Sequence, residues 1–239
     1  KWDVRTNGNL TTDRNNIVRS GKITFRPFKI SNQIDDSIEL SVTHLYENIS
    51  DPFFITGHIG VPDGDYHFTA ANVDLKTSRN RKLRGSLTIG YGGFYDGTGV
   101  RIAPTLEWRP SPHFLLAVDY DERQFWGVRA CSGALDGSGN PLECKPNASL
   151  DSTIRNTDFA TRVGRVRMQI NFTTDISWET FAQYDNVSDQ IAAQSRFRWI
   201  IEEGRDLFLV VGQDFDASPG DFRVGETELV VKLRWTLRF

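Results

Sequence analysis

The sequence predicts an all-β protein: a transmembrane antiparallel up-and-down β-barrel of about twelve strands. Three observations predict it. Apolar and polar residues alternate with period two in segment after segment. A strand turns such a pattern into one apolar and one polar face, whereas a helix would scatter it around its axis. Turn-forming residues separate the segments, and the links between them alternate between tight and mostly longer ones. The apolar face is also unusually aromatic, with Trp and Tyr near strand ends. Those rings suit a membrane–water boundary, where the body is half buried and the N–H or O–H stays wet.

Strands are expected near 2–8, 16–28, 37–47, 65–77, 82–95, 98–109, 112–124, 157–172, 175–186, 190–202, 205–215 and 226–239. In "SIELSVTHLY", Ile38, Leu40, Val42 and Tyr46 share a face. In "YHFTAANVDL", Tyr66, Phe68 and Ala70 fall out of phase with Val73 and Leu75, which predicts a bulge. "VRIAPTLEWR" sets Ile102, Leu106 and Trp108 against Arg101, Thr105, Glu107 and Arg109. "HFLLAVDYD" groups Phe114, Leu116, Val118 and Tyr120. "GRVRMQINF" sets Val166, Met168, Ile170 and Phe172 against Arg165, Arg167, Gln169 and Asn171. "DISWETFAQYD" sets Ile176, Trp178, Ala182 and Tyr184 against Glu179, Gln183 and Asp185. "SRFRWII" and "TELVVKLRWTLRF" repeat the theme.

Tight links read "SNQIDD", "TSRNRKL", "RPSPH", "TTD" and "EEGRD". The other set is "TTDRN", "NISDPFFITGHIGVPDGD", "YDGTG", about 121–156, "NVSDQ" and "QDFDASPGDFRVGE". Membrane barrels carry short periplasmic turns at one rim and longer extracellular loops at the other. An even strand count places both ends of the barrel at the short-turn rim.

The chain of 239 residues is read as a single barrel domain, 1–239, whole or as part of a longer chain. Its net charge of -3 gives no case for nucleic acid. No apolar run approaches the ~18 residues of a membrane helix, which bears on helical spans only. The glycines of "GYGGFYDGTG" lack the context of a phosphate cradle and fit a bend and tight turn. "DGSGN" lacks the spaced acids of a calcium loop, so no metal and no cofactor are expected. His44, His58, His67 and His113 lie on different segments, and no catalytic residue is assigned.

Arginine recurs on the polar face. Arg101, Glu107, Arg109, Arg165, Arg167, Glu179, Arg196, Arg198, Lys232, Arg234 and Arg238 are the candidate lumen-lining charges. Two roles fit them: filling a plugged structural barrel, or lining a pore for small polar solutes, where rings of Arg and Lys favour anions. The plugged barrel would anchor surface loops, an attached domain or partner proteins.

The chain ends "KLRWTLRF", with Leu233, Trp235, Leu237 and Phe239 on one face. This resembles the C-terminal sorting signal of bacterial outer-membrane barrels, which implies recognition by the barrel-assembly machinery. "SDPFFITGHIGVPDGDYHF", "TSRNRKLRGSLTIGYGGFYDG", "LEWRPSPHF", "QYDNVS" and "SRFRWIIEEGRDLFLV" extend the likeness. Together they resemble the C-terminal barrel region of outer-membrane proteins that carry an N-terminal family-9-type carbohydrate-binding module. The likeness runs from about residue 47 to 239. It implies a location, the bacterial outer membrane, and a lipid bilayer as partner. It implies no activity and no catalytic residues.

Cys131 and Cys144 bracket the loop-like "CSGALDGSGNPLEC" with no metal-ligand companion. A disulfide closing a short loop is expected, with two free thiols as the alternative. Alkylation of freshly isolated protein without reduction should leave both sulfurs unlabelled; labelling of both would show free thiols.

Overall fold

The computed structural model describes residues 1–51, 53–56, 59–132, 154–218 and 220–236. Its elements are β1 (Trp2–Thr12), β2 (Val18–Ser31), β3 (Ser37–Ile49), β4 (Phe53–Thr56), β5 (Ile59–Val61), β6 (Gly64–Lys76), β7 (Leu83–Phe94), β8 (Gly97–Ser111), β9 (Phe114–Ser132), β10 (Ile154–Asn171), β11 (Ile176–Asp185), β12 (Gln190–Glu202), β13 (Arg205–Ser218) and β14 (Asp221–Trp235). No helix occurs among the described residues. Twelve strands follow one another in an antiparallel, up-and-down sheet, β1-β2-β3-β6-β7-β8-β9-β10-β11-β12-β13-β14. The two short strands, β4 and β5, were not expected. They pair within the link 50–63, and Ile59 and Gly60 of β5 align with Ser132 and Cys131 of β9.

The expected closure is not seen: the sheet is open, with β1 and β14 as its edges. Closure demands a fixed stagger between first and last strands. A period-two pattern carries no such stagger.

The chain divides into two compact units. The first comprises Lys1–Leu75, Thr88–Ile102 and Arg123–Ala160; the second comprises Lys76–Leu87, Ala103–Glu122 and Thr161–Phe239.

Local side-chain caps explain why the strands stop where they do. Asn32 Oδ1 accepts the N–H groups of Ile34 at 3.0 Å and Asp36 at 2.9 Å, while Asp35 takes a φ of 68°. Asp13 does the same for Asn15 and Ile17, at 2.8 and 3.0 Å. The Thr173 hydroxyl accepts from Asp175 and Ile176, and Asp185 from Val187 and Ser188. These are Asx- and Ser/Thr-turns, which satisfy turn backbone that no ladder reaches. The link between β13 and β14 was expected to be long. It is instead a two-residue connection, 219–220, with Gly220 at a φ of 89°. Asp216 organises its approach by accepting both the N–H and the hydroxyl of Ser218.

In the second unit the register sorts side chains into two faces. Ile170 pairs with Trp178, Trp178 with Phe197, Phe197 with Leu209 and Leu209 with Val231. One apolar row therefore crosses five strands. The adjacent row, Met168, Thr180, Ser195, Val211 and Leu229, holds two hydroxyls. They bond to each other at 3.1 Å, and Trp178 Nε1 donates to Ser195 Oγ at 2.6 Å. Thr227 likewise donates to Gln213 Oε1 at 2.6 Å. Polar side chains in these rows are thus satisfied by one another. The opposite face carries Arg165, Arg167, Gln169, Glu179, Arg196 and Arg198.

In the first unit, β2 and β3 repeat the division. Ile30 pairs with Ile38, Phe28 with Leu40 and Phe25 with Val42 on the apolar face, while Thr24 meets Thr43 on the other. The β2 strand bulges between Phe25 and Phe28, where Pro27 has no N–H to offer a ladder.

Exposure alternates along the first part of β6, and the alternation stops at the half-buried run 72–74, within the stretch where a bulge was expected. Residues 65, 67, 69 and 71 are exposed, while 66, 68, 70 and 72 alternate with them toward the interior. Tyr66 and Phe68 join an aromatic cluster. The glycines near it are chosen for space. A Cβ on Gly99 would stand 2.6 Å from the Phe125 ring, and one on Gly93 would stand 2.9 Å from Phe68 Cβ.

Gly99→Val should therefore cost about 1–3 kcal/mol by overpacking. Gly164→Ala, where nothing lies within 4 Å, should be neutral or mildly stabilising. Urea midpoints in detergent micelles measure both, and equal effects would contradict the packing account.

Candidate functional site

The polar face is the candidate site, and it has two parts. In the second unit it is a set of ion pairs. Glu179 lies opposite Arg196, and the carboxylate takes Nη2 at 2.6 Å. Arg198 donates to Asp206 at 3.1 Å, with its guanidinium carbon 5.5 Å from the Phe208 ring centre. Glu107 binds Arg84 at 2.6 Å and stands 3.8 Å from Arg109. Arg165 Nε donates to Gln183 at 2.9 Å. On the other face, in phase with Val166 and Met168, Arg162 meets Glu122 at 3.1 Å, and Glu122 also takes the Tyr120 hydroxyl at 2.9 Å.

Of the arginines expected to form a positive wall, Arg109, Arg165, Arg196 and Arg198 are therefore matched locally. The sequence reading counted Glu107 and Glu179 against them but missed Asp206, which is buried to 8 % exposure. Asp206 lies directly opposite Arg234 and Ile200. Its single carboxylate, one residue inside the "EEGRD" turn, had read as turn chemistry. Arg167, Lys232 and Arg234 share the same face, and no ion pair joins them to another described residue. Arg101 is half-buried in β8 of the first unit. Arg238 lies outside the described residues.

In the first unit the same kind of face closes over with aromatic rings. The Phe94 and Phe125 centroids are 4.0 Å apart, those of Phe125 and Phe159 4.9 Å, and those of Phe94 and Tyr95 4.7 Å. Tyr66 meets Tyr95 edge-on at 5.0 Å, and Phe68 lies 5.5 Å from Tyr95. Edge and offset contacts of this kind suit the ring quadrupoles. Tyr95, at the tip of the β7–β8 turn, donates to Glu47 at 3.1 Å. Burial, reinforced by that carboxylate, pushes its phenol well above the ordinary range, so it remains a donor. Val61 and Val128 are fully buried in this unit. The sequence did not disclose the cluster, because its members come from β6, β7, β9 and β10 and from one turn.

Of the histidines, His44 bonds Thr69 at 2.9 Å and its ring lies 6.0 Å from that of His67. The neighbouring Tyr46 and Asn48 both donate to Asp65, at 2.9 and 2.8 Å. His113 bonds the Asn171 carbonyl at 2.8 Å, beside a tight turn. His58 lies outside the described residues. No cluster of metal-ligand character occurs among the described residues.

In the second unit the apolar face is exposed among the described residues. Leu209, Val231 and Trp178 are 37 %, 64 % and 39 % exposed. Exposed aromatics stand near strand ends: Trp108, Trp199 and Trp235 toward the short turns, Tyr184 and Phe222 toward the others. Arg205 lies 3.6 Å from the Trp235 ring centre. Leu233 and Trp235 of the expected sorting signal lie on this face, exposed; Leu237 and Phe239 lie outside the described residues. So does Cys144, and with it the expected disulfide to Cys131.

Comparison with known families, curated proteins and solved structures finds no match to this chain.

Asp206→Ala should cost about 1–3 kcal/mol, because it strips a buried acceptor from Arg198. Glu179→Ala, in a pair whose side chains are 35 % and 53 % exposed, should cost under about 1 kcal/mol. Urea midpoints would contradict this ranking if the two losses were equal or reversed.

Proposed function

We propose that this chain is the wall of a bacterial outer-membrane β-barrel that passes small polar solutes along its polar face. The observation that carries the membrane part is the uncovered apolar row from Ile170 to Val231. Exposed apolar patches of that extent call for lipid or a partner. Length agrees: a spanning strand needs about 9–11 residues, and the twelve long strands run from 10 in β11 to 19 in β9. Rings near strand ends fit the two interfaces. In lipid an unpaired backbone group costs several kcal/mol, so the edges β1 and β14 take strand partners there and the sheet becomes part of a closed wall. The resemblance to the barrel region of proteins with a family-9-type module belongs to this proposal. So does delivery by the assembly machinery through Leu233, Trp235, Leu237 and Phe239.

The polar face supports passage because its charges are paired and hydrogen-bonded rather than apolar. A second reading, a plugged barrel that anchors surface loops or partner proteins, is favoured by the aromatic cluster. The cluster fills part of the face that solutes would follow.

Two measurements test the proposal. Leu209→Arg should cost about 2–4 kcal/mol of folding free energy in lipid vesicles, whereas Val210→Arg, on the polar face, should cost far less. Equal costs would remove the membrane assignment. Protein reconstituted in planar bilayers should conduct, and silence at several voltages would replace the pore with the anchor.

A further inference from the structure

We propose that Arg198, Lys232 and Arg234 form a phosphate-binding site on the polar face, at the short-turn end of β12–β14. Its role in passage rests on the pore reading above; its existence does not. Arg198 pairs with Phe208, and Phe208 with Lys232, so the ring lies between two cations. Arg234 pairs with Asp206 one row on. Neighbouring strands lie about 4.8 Å apart, so Arg198 and Lys232 stand about 10 Å apart at their Cα atoms. Lys232 and Arg234 are about 7 Å apart along β14. Side chains as long as Arg and Lys can reach one ion beside Phe208 from all three points.

The charge is unbalanced. Three cations face one carboxylate, and Asp206 is already engaged by Arg198 Nη2 at 3.1 Å. Lys232 and Arg234 make no ion pair with any described residue. Arg198 Nε is shielded from solvent with no hydrogen-bond partner. A buried donor left so is costly unless something accepts from it. An anion with several oxygens answers each feature: it accepts from a guanidinium edge, takes the ammonium as a point charge, and offsets the surplus. Phosphate, near two negative charges at neutral pH, matches that surplus better than a carboxylate or chloride. Elsewhere on the face Glu179–Arg196 and Glu107–Arg84 are already paired and offer no comparable surplus.

Calorimetry of the full chain in detergent micelles, titrated with inorganic phosphate, acetate or chloride, tests this. Phosphate should bind best. Lys232→Gln and Arg234→Gln should each weaken it about tenfold, the size of one charge-assisted hydrogen bond. Asp206→Asn should tighten it, because Arg198 is released. Arg167→Gln, on the same face but on β10, should leave it unchanged. Phosphate should also slow acylation of the Lys232 amine in the unaltered protein, a readout that needs no variant. Phosphate binding no better than chloride, or affinity and acylation indifferent to these changes, would overturn the site. Phosphate binding without bilayer conductance would retain the site and remove the pore.

Discussion

An extended chain turns successive side chains to opposite faces of a sheet, and here that geometry meets a sequence alternating Arg, Glu and Gln with Trp, Leu, Val and Ile. Backbone pairing locks the alternation in register. A slip by one residue in β12 would bring Phe197 beside Glu179 and carry Arg196 to the face of Trp178. The ion pairs and the apolar row therefore enforce the same register from two sides of one sheet. The caps at Asp13, Asn32, Thr173 and Asp185 set where each strand reverses, which keeps that register from one hairpin to the next.

The two faces are built by different physics. On the apolar face, Thr180, Ser195, Gln213 and Thr227 satisfy one another within the sheet. On the polar face of the second unit, electrostatics is local: Glu179 holds Arg196 across from it and Asp206 holds Arg198, while Arg167, Lys232 and Arg234 are left without ion pairs among the described residues. The aromatic cluster is the exception. There Gly93 and Gly99 give up side chains so that Phe68 and Phe125 can approach the sheet closely. Packing replaces charge at that end of the face.

Much of this was legible in the chain. The faces of β8, β10 and β11 follow from period two alone, because those strands are regular and their charges sit in phase. Twelve long strands and tight turns at "RPSPH" and "EEGRD" follow from the same pattern. Three features were not legible, each for a physical reason. Phe53–Val61 pairs as β4 and β5 inside a link, and four- and three-residue strands are too short to show a period. The aromatic cluster was hidden because its rings come from five separate segments of the chain. Asp206 was hidden because its partner, Arg198, sits diagonally across the β12–β13 turn, and period two fixes a residue's face but not its partner.

The central claim is that the face of Ile191, Ala193, Ser195, Phe197 and Trp199 meets lipid while that of Ala192, Gln194, Arg196 and Arg198 meets water. Nitroxide scanning of residues 191–199 in reconstituted vesicles addresses it directly. Collision rates with oxygen should peak at the odd positions, and those with a water-soluble nickel complex at the even ones, in a strict period of two. Odd positions open to the nickel complex, or shielded from both reagents as in a sheet packed against a second layer, would contradict the account.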